Sequence, residues 1–165
     1  MSLVLRKIRK AKWYKHEAVE WLPPDRLQAD TLSDLQTKDN ALSIYLVQDD
    51  KSDLERVIAA LAAACDNLSN FDYALFDDAI IREASFKIAN HPGETPDQTV
   101  NVTQHRDLIE LTTDSVLLLA RAIRDGARER KPHSEVGELI TRAVAEGHLT
   151  VEALKPELRK KLALG

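Results

Sequence analysis

Between Ala89 and Leu108 the chain reads ANHPGETPDQTVNVTQHRDL, and residue types able to do chemistry are densest here. His91 and Glu94 lie three apart, and His105 and Asp107 lie two apart. An imidazole beside a carboxylate can pass a proton or bind a divalent metal. The spacing matches no metal-binding motif, and Pro92 and Gly93 keep the first pair off a single turn of helix interior. The same residues also read as turn formers, with Pro92-Gly93 and Pro96-Asp97 each favouring a tight turn. His91, Glu94, His105 and Asp107 are the candidate catalytic residues, set against a plain surface crossing. An aperiodic segment about a dozen residues long is itself a reason to look for function there.

A second group lies at the start. Residues 3–15 carry Arg6, Lys7, Arg9, Lys10, Lys12 and Lys15 with no acid, and Trp13, Tyr14 and Trp21 are interleaved or follow. Cations among aromatics can contact phosphates and stack on bases. The candidate binding residues are therefore Lys7, Arg9, Lys10, Lys12, Trp13 and Tyr14. The plainer reading has the aromatics packing on the core while the cations stay in water. A net charge of −4 argues against a dedicated nucleic-acid binder and against an anionic membrane surface.

Other features give less. Cys65, the single cysteine, falls on the apolar face of an alanine-rich helix and reads as a core residue. Asp72, Asp77 and Asp78 cluster at a strand and its end, where carboxylates build sites but also cap and turn the chain. The sequence contains no Gly-rich phosphate loop, nucleophile elbow, HExxH run or dinucleotide fingerprint, so neither a cofactor nor a metal is expected. The segment EGHLTVEAL looks superficially like the turn of a helix-turn-helix, but Pro156 cuts the second helix early.

These residues need elements to position them. ALSIYLV, residues 41–47, alternates two largely apolar faces and predicts a central strand. Ser52 with Glu55 three residues on makes a capping box for a helix over 52–67, with Leu54, Val57, Ile58, Leu61 and Cys65 at helical spacing. FDYALF predicts a second strand, and a strand, helix and strand in succession permit a parallel crossover. Residues 79–89 read as a short helix followed by an extended piece, with a third strand as the alternative. Thr103 or Asn101 is expected to cap a long core helix reaching about Arg124, ended by Gly126, and RERKP to be a charged link. Ser134 starts a helical tail in which Gly147 and Pro156 punctuate further short helices.

At 165 residues, 44% apolar and 30% charged, the chain has the composition of a soluble globular protein able to bury a core without disulfides or metal. One cysteine excludes an intramolecular disulfide and fits a reducing cytoplasm. The basic start lacks the long apolar run of a secretory signal. The expected architecture is α+β, or a small α/β, with a sheet of two to four strands and two main packed helices. Residues 1–130 form the domain, and residues 134–165 are a helical extension packed on it. The absence of a catalytic motif, the charge-segregated start and the helical tail lead to a non-enzymatic interaction, regulatory or accessory protein with a protein partner, self or other. An enzyme using the 91–107 segment and a weak nucleic-acid binder using the basic start are the alternatives.

Overall fold

A computed structural model of the chain describes residues 2–9, 13, 20–23 and 26–164. The strands are β1 (Ser2–Ile8), β2 (Leu42–Gln48), β3 (Phe71–Asp77), β4 (Lys87–Ala89), β5 (His105–Ile109) and β6 (Ala127–Lys131). The helices are α1 (Leu54–Ala63), α2 (Ala79–Glu83), α3 (Gln98–Thr103), α4 (Thr113–Asp125), α5 (His133–Ala145) and α6 (Pro156–Lys161), with 3-10 turns at Ala29–Leu35 and Val151–Ala153.

All six strands join one sheet in the order β4-β5-β2-β1-β3-β6, and every neighbouring pair is antiparallel. Because β1 lies between β2 and β3, those two strands run parallel to each other, and α1 carries the chain between them. By the same logic β5 and β6 are parallel, and α4 carries the chain across the three strands between them. The two crossovers travel the same way across the sheet but start from strands of opposite direction. Right-handed connections then put α1 and α4 on opposite faces. That is the observed arrangement. One core holds α1, α5 and α6 against Leu5, Val47, Tyr73 and Leu75. The other holds α4 and the first 3-10 turn against Val4, Ile44, Ala74 and Phe76. The side-chain alternation of β1, β2 and β3 supplies both faces at once, so these three strands are apolar on both sides.

The sheet corrects the expected two to four strands. The long helix expected over 103–124 is two elements: the chain forms β5 first, turns at Glu110 with φ of 55°, and only then enters α4. Thr112, not Thr103 or Asn101, caps α4, its hydroxyl accepting from the Ser115 N–H. The supposed link RERKP is β6, an edge strand whose charges suit an exposed rim. Gly126 joins α4 directly to β6. A Cβ there would lie 2.5 Å from the Leu75 carbonyl oxygen, so only glycine lets the chain pass this close to β3. The Ser52–Glu55 capping box does not form: Asp53 occupies the N-cap of α1, and the Ser52 hydroxyl donates to Gln48 Oε1 at 3.2 Å. The C-terminal helices join the first core, where Ile140 and Leu158 are fully buried. Among the described residues no helix is long and apolar enough to cross a membrane.

Candidate functional site

The 89–108 segment is a built structure rather than a slack crossing. Asp97 caps α3 by accepting from the Thr99 and Val100 N–H groups at 2.9 and 3.1 Å, and its carboxylate takes Arg56 of α1 in a two-pronged pair at 2.7 and 3.0 Å. Burial pushes the Asp97 carboxyl upward, but the bonds from Arg56, Val100 and Thr99 outweigh it and hold the group below its ordinary value. Asn101, almost wholly buried, reaches back over the turn: Oδ1 accepts from the Thr95 N–H and hydroxyl, and Nδ2 donates to the Thr95 carbonyl. Gly93 lies against this pair, where a Cβ would come 2.9 Å from Asn101 Oδ1 and 3.1 Å from His105 Cγ. These contacts turn the segment back onto β5.

That return brings three of the four candidate catalytic residues together. His91 Nδ1 donates to Asp107 Oδ2 at 3.1 Å. His105 Nδ1 donates to the His91 carbonyl at 2.7 Å, and its Nε2 stands 3.5 Å from Asp107 Oδ1. Glu94 is exposed and has no hydrogen bond among the described residues. Asp107 is the hub, because Ser43 of β2 also donates its hydroxyl to Oδ1 at 2.9 Å. Nucleophilic relays place the imidazole between hydroxyl and carboxylate. Here the carboxylate is in the middle, so His91 does not face the Ser43 hydroxyl as a base. Among the described residues no group of three or more His, Cys, Asp or Glu side chains is arranged to hold a metal.

Ser43 connects this cluster to a cleft. The β1–β2 pairing ends at Leu5–Tyr45, and beyond it the two strands part. Arg6 bridges the split, donating to the Ser43 carbonyl at 2.8 Å and the Asp34 carbonyl at 2.9 Å. Its Nε–H is buried without an acceptor. Burial lowers the Arg6 pKa, with Asp34 pulling the other way. The opening is a cavity of about 230 Å³ lined by Arg6, Lys7, Arg9, Asp34, Ser43 and Tyr45, with Leu61 of α1 as its apolar wall.

The charges in this cleft do not balance. Arg6, Lys7 and Arg9 supply three cations against the single carboxylate of Asp34. That carboxylate is turned inward: Oδ2 accepts from the Arg9 N–H at 3.0 Å and from Trp13 Nε1 at 2.8 Å. Lys7 Nζ donates to Cys65 Sγ at 3.1 Å and lies over the Phe71 ring, which leaves it two further N–H groups. Tyr45 is 8% exposed, and its hydroxyl has no hydrogen-bond partner among the described residues. The ring is buried while the hydroxyl end lines the cavity. Burial pushes the Tyr45 phenol up to about 12, with Arg6 opposing and Asp107 and Glu94 assisting, so the group keeps its proton and can donate. Its ring also meets His105 edge-on at 5.2 Å, a second link to the histidine cluster.

The basic start therefore divides. Lys7 and Arg9 line the cleft, Arg9 with a side chain 69% exposed. Trp13 is fully buried beneath, held by Asp34, and Arg128 donates to its carbonyl. Lys10, Lys12 and Tyr14 lie outside the described residues. Asp72 is buried in a two-pronged pair with Arg130 at 2.6 and 2.9 Å, Asp77 is exposed, and Asp78 pairs with Arg82 at 2.9 Å. Asp72 lies at the start of β3, Asp77 at its end and Asp78 just before α2, and two strands separate β3 from β5. Sequence reasoning missed Arg6, Asp34, Ser43 and Tyr45. The available signal was Ser43 and Tyr45 alternating with Leu42, Ile44 and Leu46 in an otherwise apolar central strand.

Comparisons of the chain with protein-family models, with curated proteins and with solved structures find no match.

Proposed function

We propose that the protein is a non-enzymatic regulatory or accessory protein that acts by holding an anionic group in the cleft where β1 and β2 part. The observation that carries this is the Tyr45 hydroxyl, which has no acceptor among the described residues and lines a cavity walled by Arg6, Lys7 and Arg9. A guanidinium, an ammonium and a phenol lining one space suit an oxyanion, because each offers it an N–H or O–H and the two cations add charge. Two positive charges remain after Asp34 is counted, in a chain whose net charge is −4. The order of groups around Asp107 supports binding over nucleophilic catalysis. The single cysteine suits work in the cytoplasm, and the anion is carried on a protein partner or comes as a free molecule.

Calorimetric titration with inorganic phosphate and with sulfate at low ionic strength tests this reading. Wild-type protein should bind one equivalent saturably. Arg9→Glu, a charge reversal on an exposed side chain, should weaken binding at least about tenfold, which is ~1.4 kcal/mol. No saturable binding of either anion, or equal binding by the variant, would remove the proposal.

A further inference from the structure

The cleft's charge and size narrow the class of anion. We infer that the site takes a compact phosphate monoester in its dianionic form; this rests on the anion-binding reading above. Three observations point the same way. The excess over Asp34 is two positive charges, which a dianion neutralises and a carboxylate does not. The donors come from two strands and the chain beyond one of them: Arg6 and Lys7 from β1, Arg9 just after it, and Tyr45 from β2. A tetrahedral phosphoryl group offers three terminal oxygens to such a set, whereas a planar carboxylate offers two. The cavity of about 230 Å³ is smaller than the pockets that enclose drug-sized ligands, so it has room for a phosphoryl group and its ester carbon and does not enclose a whole nucleotide.

The walls also say how the ester would sit. Leu61 is the one apolar side chain lining the cavity, and it stands on α1 opposite the cationic end of β1. The phosphoryl group belongs beside Lys7, Arg9 and the Tyr45 hydroxyl, and the ester carbon beside Leu61. Ser43 already gives its hydroxyl proton to Asp107, so it adds no donor unless that bond is exchanged. The ionisable groups facing the bound anion are Arg6, Lys7 and Arg9 from the β1 end, Asp34 from the first 3-10 turn and Tyr45 from β2. Cys65 stands against Lys7, Asp107 lies behind Ser43 with His91 and His105 beyond, and the Glu94 carboxylate acts on Tyr45 through space.

The dianion requirement gives a test that separates this inference from simple anion binding. Methyl phosphate, sulfate and acetate are titrated into the wild-type protein at pH 5 and pH 7.5, at one ionic strength. A phosphate monoester loses its second proton near pH 6. Its affinity should therefore rise about tenfold between the two conditions, in line with its dianion fraction. Sulfate is a dianion at both values and reports any change in the protein itself, so the monoester's rise is read relative to it. Acetate should bind at least about tenfold more weakly than either at pH 7.5. If methyl phosphate and acetate bind alike, or methyl phosphate gains nothing over sulfate with pH, the monoester assignment falls while anion binding stands. If none of the three binds, both fall. A phosphoserine peptide forms a second arm: tighter binding than methyl phosphate assigns the ester to a protein partner, and weaker binding assigns it to a free molecule. Either result upholds the monoester class.

Discussion

Asp97 shows how one side chain can settle a segment that looks irregular in sequence. Its carboxylate satisfies two N–H groups at the start of α3 and fixes Arg56 of α1, so loop, cap and interhelix tie converge on it. Asparagine can still cap the helix but cannot carry the charge that Arg56 meets. Asp97→Asn should therefore cost about 2 kcal/mol in urea unfolding at neutral pH. The sign of its pH dependence follows from the direction of the shift. A carboxyl held below its ordinary value of 3.8 in the fold contributes stability that is full above 3.8 and is lost as pH falls through the folded value. The gap between wild type and Asp97→Asn should narrow below that pH; a gap that stays constant into acid would show that the charge contributes nothing. The histidines were legible as a cluster but not as an arrangement. His91, His105 and Asp107 meet only because Asn101 and Gly93 bring the chain back, and no spacing rule encodes that return.

At the scale of elements, legibility followed apolar alternation. β2 and β3 were read correctly as strands because each alternates two faces that pack on helices, and α1 was legible from its 3.6-residue stripe. β5 was not, since HRDLI carries His105 and Asp107 on the face where the site lies, and those residues erase the pattern that marks a strand. β6 was hidden for a related reason. ARERK is an edge strand whose charged side chains pair across to β3, Arg130 with Asp72 and Glu129 with the Tyr73 hydroxyl, so in sequence its charges read as a link. With β5 unseen, the helix after it absorbed its residues, and the count of strands fell short. Gly126 records the hidden strand in a checkable way. Gly126→Ala would press a methyl group onto the Leu75 carbonyl at the β3–β6 contact. It should lower stability by about 2 kcal/mol in denaturant titration. A neutral result would mean that α4 and β6 join with more room than the structure gives them.

For the whole molecule, the two crossovers explain why a site forms where it does. α1 and α5 cover the first face over β1 and β3, and the folded-back 90–104 segment closes on β5. Between them the alternation of β1, β2 and β5 places Lys7, Ser43, Tyr45, His105 and Asp107 on that face, and the cleft opens beside the first three. Arg6 fills the split between β1 and β2 and draws Asp34 and Trp13 in behind it. The cleft is thus a product of topology more than of any local motif, which is why no motif announced it. The central claim is that an anion accepts a hydrogen bond from the Tyr45 hydroxyl. Its most direct test is an NMR titration of protein labelled with ¹³C at tyrosine Cζ, adding inorganic phosphate at constant ionic strength. One tyrosine signal, identified as the one absent from Tyr45→Phe, should move saturably while the signals of Tyr14 and Tyr73 stay in place. Movement confined to another tyrosine, or a linear drift shared by all three, would contradict it.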